Sequence, residues 1–389
     1  MKSCAIITEY NPLHNGHVYQ LQTAKKETQA DVMIVIMSGN FVQRGEPALL
    51  DKHTRAKLAL QNGADLVIEL PWYGAVQAAD YFGEIAVDLL QSLSVDVLCF
   101  GTDIDEPFDY VSFVRLEQQH KEQLDEYIKW LSHKYPTWSY PRKMEQAYQD
   151  VLDQGLISNK PNHILGLSYT RANFQGEKPM QLWPIKRLGA GHYDGIKNNF
   201  ASGTAIRDYA LNKNYAKCQK VVPKETLNAL MSHKPHTWDD YFILLKMQIL
   251  SKSISDLQQI YQMTDGLEYK IIEVTKTSHN FAEWLDQLKS KRYTIARLQR
   301  LATYILLNIK TTHIEFAKNN PYLKILGFTG QGQKFLKQAQ SKYPIVTTIR
   351  QQNLKVKELE QRIDEIYHLP TGDKFSFAKQ YRPIIIKNV

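Results

Sequence analysis

His14 and His17 stand three residues apart with Gly16 between them, directly after the apolar run Cys4-Ala5-Ile6-Ile7 and before the helical pattern Val18, Leu21, Ala24. At that spacing both imidazoles belong to one side of a first helical turn, beside the unpaired backbone N–H groups and the positive end of the helix dipole. Such an end holds phosphate. Gly16 carries no Cβ, so a flat purine could lie against the main chain there, and Pro12 stiffens the approach. A zinc site would need His-Glu-x-x-His and a third ligand, and neither is present. No P-loop occurs, and no Gly-x-Gly-x-x-Gly follows the first strand, so a nucleotide would be held without a Walker lysine. The plain alternative is a helix start with two surface histidines.

A second helix start with anion-binding character is Ser202-Gly203-Thr204-Ala205-Ile206-Arg207-Asp208, where hydroxyls precede a helix and an arginine lies in its first turns. Lys186-Arg187 closes a predicted strand from Met180 to Lys186, and Lys160-Pro161-Asn162-His163 reads as a loop entering a helix. Toward the rear, Lys289-Ser290-Lys291-Arg292-Tyr293-Thr294-Ile295-Ala296-Arg297 runs on to Arg300. On a helix Tyr293, Arg297 and Arg300 would share a face, the pairing that grips phosphates and stacks unpaired bases. A helix that merely salt-bridges to the front of the chain would look similar.

The elements that must position these residues are four apolar runs, Ser3 to Ile7, Val32 to Met37, Leu66 to Leu70 and Val95 to Phe100. Helical patterns lie between them. Asp51 to Asn62 ends at Gly63, and Ala75 to Gln91 places Ala79, Phe82, Ala86 and Leu90 on one face. Strand and helix in alternation, with near-continuous apolar strands, predict an α/β protein with a Rossmann-like parallel sheet covered on both sides. Ligands of such sheets bind beyond the carboxyl ends of the strands, where the histidine motif, Ser38-Gly39-Asn40, Pro71 and Gly101-Thr102-Asp103 all fall. A polar helical stretch follows from Tyr110 to Leu156. Helices dominate from Asn212 onward, and Arg382-Pro383-Ile384-Ile385-Ile386 reads as a last strand. The expected division is residues 1–211, an α/β nucleotide-binding domain, and 212–389, a mainly helical basic domain.

Charge supports that division. Residues 270–389 carry 21 Lys and Arg against 9 Asp and Glu, while the first 269 sum to −4. A basic rear on a mildly acidic front suggests a polyanionic partner, with a solvated lysine-rich surface as the alternative. With 389 residues and 43% hydrophobic content the chain can bury more than one core. No run approaches the roughly eighteen apolar residues of a membrane span, and no signal-peptide pattern opens the chain. Cys4, Cys99 and Cys218 are dispersed, so neither a disulfide framework nor a zinc knuckle is expected, and a reducing cytoplasm fits.

Thr8-Glu9-Tyr10-Asn11-Pro12-Leu13-His14-Asn15-Gly16-His17 resembles the first motif of the nucleotidyltransferase superfamily that shares the HIGH signature with class I tRNA synthetases, and Ser202-x-Thr204-x-Ile206-Arg207 resembles its second. A synthetase would show Lys-Met-Ser-Lys-Ser, for which Lys374-Phe375-Ser376-Phe377-Ala378-Lys379 is a poor substitute. Met37-Ser38-Gly39-Asn40-Phe41-Val42-Gln43-Arg44-Gly45-Glu46-Pro47, with Pro161-Asn162, Ile185-Lys186-Arg187 and Lys291-Arg292-Tyr293-Thr294, extends the likeness over nearly the whole chain, to the bacterial tRNA(Met) cytidine acetate ligase family.

That resemblance implies an ATP-dependent ligase that forms acetyl-adenylate and acetylates the exocyclic amine of the wobble cytidine of elongator tRNA(Met). It implies that the stretch Ile7 to Gln20 (Ile7, Thr8, Glu9, Tyr10, Asn11, Pro12, Leu13, His14, Asn15, Gly16, His17 and Gln20) lines ATP together with Gly101, Asn162 and Arg187. Ser202, Thr204 and Arg207 join that site through the second motif, with Mg²⁺ as counterion of the leaving pyrophosphate. His14 and His17 are the catalytic candidates, donating to the phosphates, and no protein metal ligand is assigned. Ser38, Gly39 and Asn40 are placed at the acetate pocket, while Arg44, Lys291, Arg292, Tyr293, Arg297 and Arg300 are placed toward tRNA. No DNA or membrane partner is expected, and the oligomeric state is left open. The rival readings are a small-metabolite adenylyltransferase, which leaves the basic rear without a task, and a non-enzymatic RNA-binding protein with an inherited nucleotide site.

Overall fold

The apolar runs of the front third become β1 (Ser3–Thr8), β2 (Val32–Ser38), β3 (Leu66–Leu70) and β4 (Val97–Thr102). The computed structural model describes residues 1–104, 108–153, 160–187, 199–348, 353–372 and 382–387. β4 starts two residues later than expected because the Asp96 carboxylate accepts from both the backbone N–H and the hydroxyl of Ser3, 2.7 Å each. It runs on through Gly101 and Thr102, which pair with Ile185 and Lys186 of β5 (Gln181–Lys186).

These five strands lie in the order β5-β4-β1-β2-β3 and are parallel throughout. The order reverses between β1 and β4, and a doubly wound sheet opens its ligand crevice at such a point, beyond the carboxyl ends. Alternate side chains serve opposite faces, as strand geometry requires: Ile34, Ile36, Leu66 and Ile68 join one apolar cluster, Met33, Val35, Met37 and Val67 the other.

The helix Asn15–Thr28 follows β1, and Lys52–Gln61 is capped by the Asp51 carboxylate, which accepts from His53 and Thr54 N–H. The single helix expected from Ala75 to Gln91 is two, Trp72–Ala75 and Ala79–Ser92. Gln77 explains the break. Its side chain donates to the Tyr73 carbonyl while its own carbonyl accepts from Gln43 Nε2, so residues 76–78 leave the helical path. Tyr110–Gln119, Lys121–Lys134 and Tyr140–Leu152 occupy the polar stretch, and Pro161 opens the helix Pro161–Gln175.

The rear does not begin a separate layer at residue 212. β6 (Leu323–Thr329), a fully buried strand, pairs antiparallel with β3, and both β7 (Ile345–Val346) and β8 (Ile384–Ile386) pair parallel with β6. The sheet is thus eight-stranded and mixed, and the strand expected at the C-terminal end is its last member. A seven-residue segment that carries Lys324 among its apolar residues, lying between amphipathic helices, has no local mark that separates it from a buried helix segment. Buried charges also join front to rear. Lys52 Nζ lies 2.9 Å from Glu69 and 2.7 Å from Asp364, and Lys324 Nζ lies 3.1 Å from Glu69 and 2.9 Å from Glu360. The segment Lys374 to Lys379 lies outside the described residues. Among the described residues no helix is long and apolar enough to cross a membrane.

Candidate active site

A cavity of about 460 Å³ opens beyond β1 and β4, at the point where the strand order reverses. Of the residues expected there, Ile7, Thr8, Glu9, Tyr10, Asn11, His14, Gly16, His17 and Gln20 line it, as do Gly101, Asn162, Arg187, Ser202, Thr204 and Arg207. Pro12, Leu13 and Asn15 do not. Leu13 is buried in the core, and the Asn15 amide is spent on the carbonyls of Asn199 and Lys220.

The two histidines build the helix start differently from the simple first-turn picture. His14 is the N-cap itself, its Nδ1 accepting from Gly16 N–H at 3.1 Å, while His17 Nδ1 accepts from His14 N–H at 3.4 Å. The rings stack 3.7 Å apart at 23°, and Tyr10 meets His17 edge-on at 4.9 Å. A ring nitrogen that accepts a backbone N–H carries no proton, so each neutral imidazole bears its proton on Nε2. Burial and the nearby arginines keep both rings neutral: His14 is pushed down to about 3 and His17 well below its ordinary value. The pair therefore offers two N–H donors to a phosphate without adding full charges.

Gly16 has a nearer task than admitting a purine. A Cβ there would stand 2.9 Å from His14 Cε1 and 3.1 Å from Nδ1, so the glycine lets the His14 ring fold back over the helix start.

Cations and their supports surround this end. Arg187 Nη1 lies 3.5 Å from Asp103 Oδ1, and the other oxygen of Asp103 accepts from Asn162 Nδ2 at 2.6 Å. One carboxylate at the end of β4 thus orients an arginine from the end of β5 and an asparagine from a helix start. Its type and place after Gly101-Thr102 were legible, but not its role. Ser202 caps the helix Gly203–Leu211, and Arg207 donates to the Asn11 carbonyl and the Thr204 hydroxyl, 3.1 Å each. Arg207 thereby ties its own helix to the first motif.

Ser38, Gly39 and Asn40, expected at the acetate pocket, do not line the cavity. Arg55, fully buried, takes the Ser38 and Gly39 carbonyls along with those of Leu50 and Glu9. The Asn40 side chain accepts from Lys52 N–H and donates to Asp364. The three residues are a brace, and what reaches the cavity is the loop after them, through Val42, Gln43, Arg44 and Glu46. An isolated bridge between Phe41 and Pro47 closes that loop. Apolar wall comes from Phe82, Phe100, Leu165 and Tyr169, which sequence reasoning did not single out because they read as core positions of their elements.

The residues expected to meet RNA divide. Arg44 lines the cavity, whereas Lys291, Arg292, Tyr293, Arg297 and Arg300 lie outside it. The helix there is Ile295–Leu306, capped by Thr294, so Tyr293 precedes it instead of sharing its face. Arg292 and Arg297 still lie over the Tyr293 ring, at 5.5 and 4.9 Å. Arg300 is turned inward, its Nε buried, with Gly45 against its backbone. Gly45 has φ +79°, and a Cβ there would stand 2.4 Å from Arg300 N, so the cavity loop rests directly on this helix.

A crevice at the strand switch point, a histidine pair capping the first helix and a serine-capped second helix start define a nucleotidyl transferase of the HIGH class. The HIGH nucleotidyl transferase family matches residues 1–381, and the chain belongs to it. Within that family its relatives are specific. The tRNA(Met) cytidine acetate ligase of Latilactobacillus sakei subsp. sakei (strain 23K) is 41% identical over 98% of this chain and 97% of its own. That of Streptococcus pyogenes serotype M1 is 40% identical over 100% and 99%. Crystal structures of Thermotoga maritima TmcAL, one apo and one bound with alpha-thio ATP, superpose with a TM-score of 0.89 at 27% identity over the whole of both chains.

Proposed function

We propose that this protein is an ATP-dependent tRNA(Met) cytidine acetate ligase: it joins acetate to AMP and passes the acetyl group to the exocyclic amine of the wobble cytidine of elongator tRNA(Met), giving N4-acetylcytidine. The observation that carries the reading is the stacked, neutral histidine pair at a helix start inside the switch-point cavity. Full-length likeness to the named ligases, and to a structure bound with alpha-thio ATP, supports it.

In the first step a carboxylate oxygen of acetate attacks the α-phosphorus and pyrophosphate leaves. Negative charge grows on the phosphate oxygens, where the Nε2–H groups of His14 and His17 donate; a preorganised donor of this kind contributes about 10²–10³ in rate. Arg187, held by Asp103, and Arg207, held by Asn11 and Thr204, are the cations for the triphosphate. Mg²⁺ would serve as the counterion of the leaving pyrophosphate. Phe82, Phe100 and Tyr169 supply apolar wall for a methyl group in place of the Ser38-Gly39-Asn40 brace.

In the second step the cytidine amine attacks the acetyl carbonyl and AMP departs, a reaction governed by positioning because the anhydride is already activated. A wobble base lies in a single-stranded loop and enters a pocket without breaking a duplex pair. Residues 1–211 carry the activation chemistry in this reading, and 212–389 carry the tRNA contact through Arg292, Tyr293 and Arg297. The test is incubation with ATP, Mg²⁺ and labelled acetate, with and without bacterial tRNA lacking the modification, followed by nucleoside mass spectrometry. Acetylcytidine formed only with ATP and acetate is the expected result. AMP release without RNA acetylation would favour a metabolite adenylyltransferase, and no turnover a binding protein.

A further inference from the structure

Glu9 is the one acidic residue of the first motif, and it lines the cavity at the end of β1. One of its oxygens, Oε1, accepts the Gln43 N–H at 2.7 Å, so the carboxylate is fixed by the loop between Phe41 and Pro47. Its backbone carbonyl is fixed from behind by the Arg55 guanidinium. A carboxylate in this place repels a bare triphosphate, and the oxygen that Gln43 does not engage can take a proton from a substrate amine.

The loop that holds Glu9 is also the wall shared with the basic rear. The Gly45 carbonyl accepts from Trp238 Nε1 and Thr303 Oγ1, 2.9 Å each, and Glu46 accepts from Gln299 at 3.4 Å. Glu9 therefore faces the cavity from the inner side of a loop whose outer side rests on the helix Ile295–Leu306.

We infer that the Glu9 carboxylate is the general base of the second step, taking the proton that the cytidine amine loses as it is acetylated. This rests on the ligase reading given above. The amine nitrogen forms its bond to the acetyl carbon, and the bond from that carbon to the phosphate oxygen breaks with its electron pair leaving on AMP. One N–H proton passes to Glu9 Oε2, the oxygen not engaged by Gln43, and then to solvent. Glu46, the other carboxylate nearby, lies 4.0 Å from Arg207 and also engages Gln299.

Basicity supports this role. Burial raises the Glu9 carboxyl above the ordinary range and Glu46 adds to the rise, while the Gln43 N–H, Arg207 and Arg44 oppose it. Arg55 and the Tyr169 phenol are the other ionisable groups that feel its charge.

Glu9→Gln keeps an acceptor for Gln43 N–H and removes the base. The two steps are read separately, activation as acetate-dependent ATP–pyrophosphate exchange, and transfer as single-turnover delivery of labelled acetyl from enzyme-bound adenylate to unmodified tRNA. Transfer is expected to fall by about 10²–10⁴-fold, well beyond any fall in exchange, and its pH profile to lose the acid limb seen in the wild type. Glu9→Asp should recover part of the transfer rate, and it carries the test if Glu9→Gln does not fold. Equal losses in both steps, an acid limb that persists in Glu9→Gln, or a transfer-specific loss in Glu46→Gln with Glu9→Gln spared would overturn the assignment. Failure of the ligase reading is distinct, because the wild type itself would then show no acetate-dependent exchange or no acetylcytidine.

Discussion

Acidification should loosen the histidine pair, and His14→Asn should remove much of that sensitivity. Folding holds His14 at about 3 against an ordinary 6.5, chiefly by burial and then by Arg187 and Arg207. The folded state therefore refuses a proton that the unfolded chain accepts below pH 6.5. Stability from this residue is complete above pH 6.5 and is lost as the pH falls toward about 3. Each pH unit in that window costs about 1.4 kcal/mol, so between pH 7 and pH 5 the wild type should lose about 2 kcal/mol through His14 alone. His17, lowered in the same direction, adds to the loss. Asn is itself a strong N-cap and does not titrate, so His14→Asn keeps the helix start while erasing the His14 share. Urea unfolding of both proteins at pH 7, 6 and 5 measures the difference, since all other titrating groups are common to the two. A variant whose stability falls between pH 7 and pH 5 as steeply as the wild type's would refute the claim that His14 is buried and neutral. The same substitution at pH 7 should slow ATP–pyrophosphate exchange by about 10²–10³-fold through loss of one phosphate donor.

Gly16→Ala should displace the His14 ring, costing about 1 kcal/mol of helix capping and raising KM for ATP, as melting and exchange assays would register. Asp103→Asn removes the charge that orients Arg187 and Asn162, and exchange kinetics should show a roughly tenfold rise in KM for ATP, about the 1.4 kcal/mol of one charge-assisted hydrogen bond. Arg292→Glu with Arg297→Glu should weaken tRNA binding in filter assays and reduce the salt slope by about 0.7 for each phosphate no longer neutralised, with exchange retained. Arg300 is left out of that set because it is turned inward against the cavity loop, so reversing it would disturb the fold. Lys52→Met leaves Glu69 and Asp364 without a shared cation, and denaturant titration should show a loss of about 3–5 kcal/mol.

The parallel half of the sheet was legible because its strands are short apolar runs separated by helical periods, and β3 spans the same residues in sequence pattern and in structure. The two helix starts were legible because capping chemistry is local: His14 and Ser202 each satisfy an N–H two or three residues on. What failed was non-local. Ser38-Gly39-Asn40 sits where an acceptor usually docks, but Arg55, on the next helix, consumes its carbonyls and Asp364, 324 residues away, engages its amide. Gly16 and Gly45 were visible as glycines, yet what each makes room for, a folded-back imidazole and the backbone of Arg300, depends on packing. β6 was invisible for the same reason, since its partner β3 ends some 250 residues earlier.

The joining of front and rear changes what a division of labour between activation and tRNA contact can mean here. β6 extends the sheet that carries the cavity, and Lys52 and Lys324 bridge the Glu69 carboxylate of β3 to Asp364 and Glu360 of the helix Leu354–His368. Removing either partner of such a cluster strands a buried charge, so the halves stand or fall together. Between them lies one loop whose inner face presents Gln43, Arg44 and Glu46 to the cavity and whose Gly45 carbonyl is held by Trp238 and Thr303 of the rear. Gly45 permits that approach by its left-handed backbone, a conformation that costs an L residue roughly 1–2 kcal/mol before any clash. In the proposed reading, an RNA held by Arg292 and Arg297 would bear, through the helix Ile295–Leu306, on the loop that fixes Glu9.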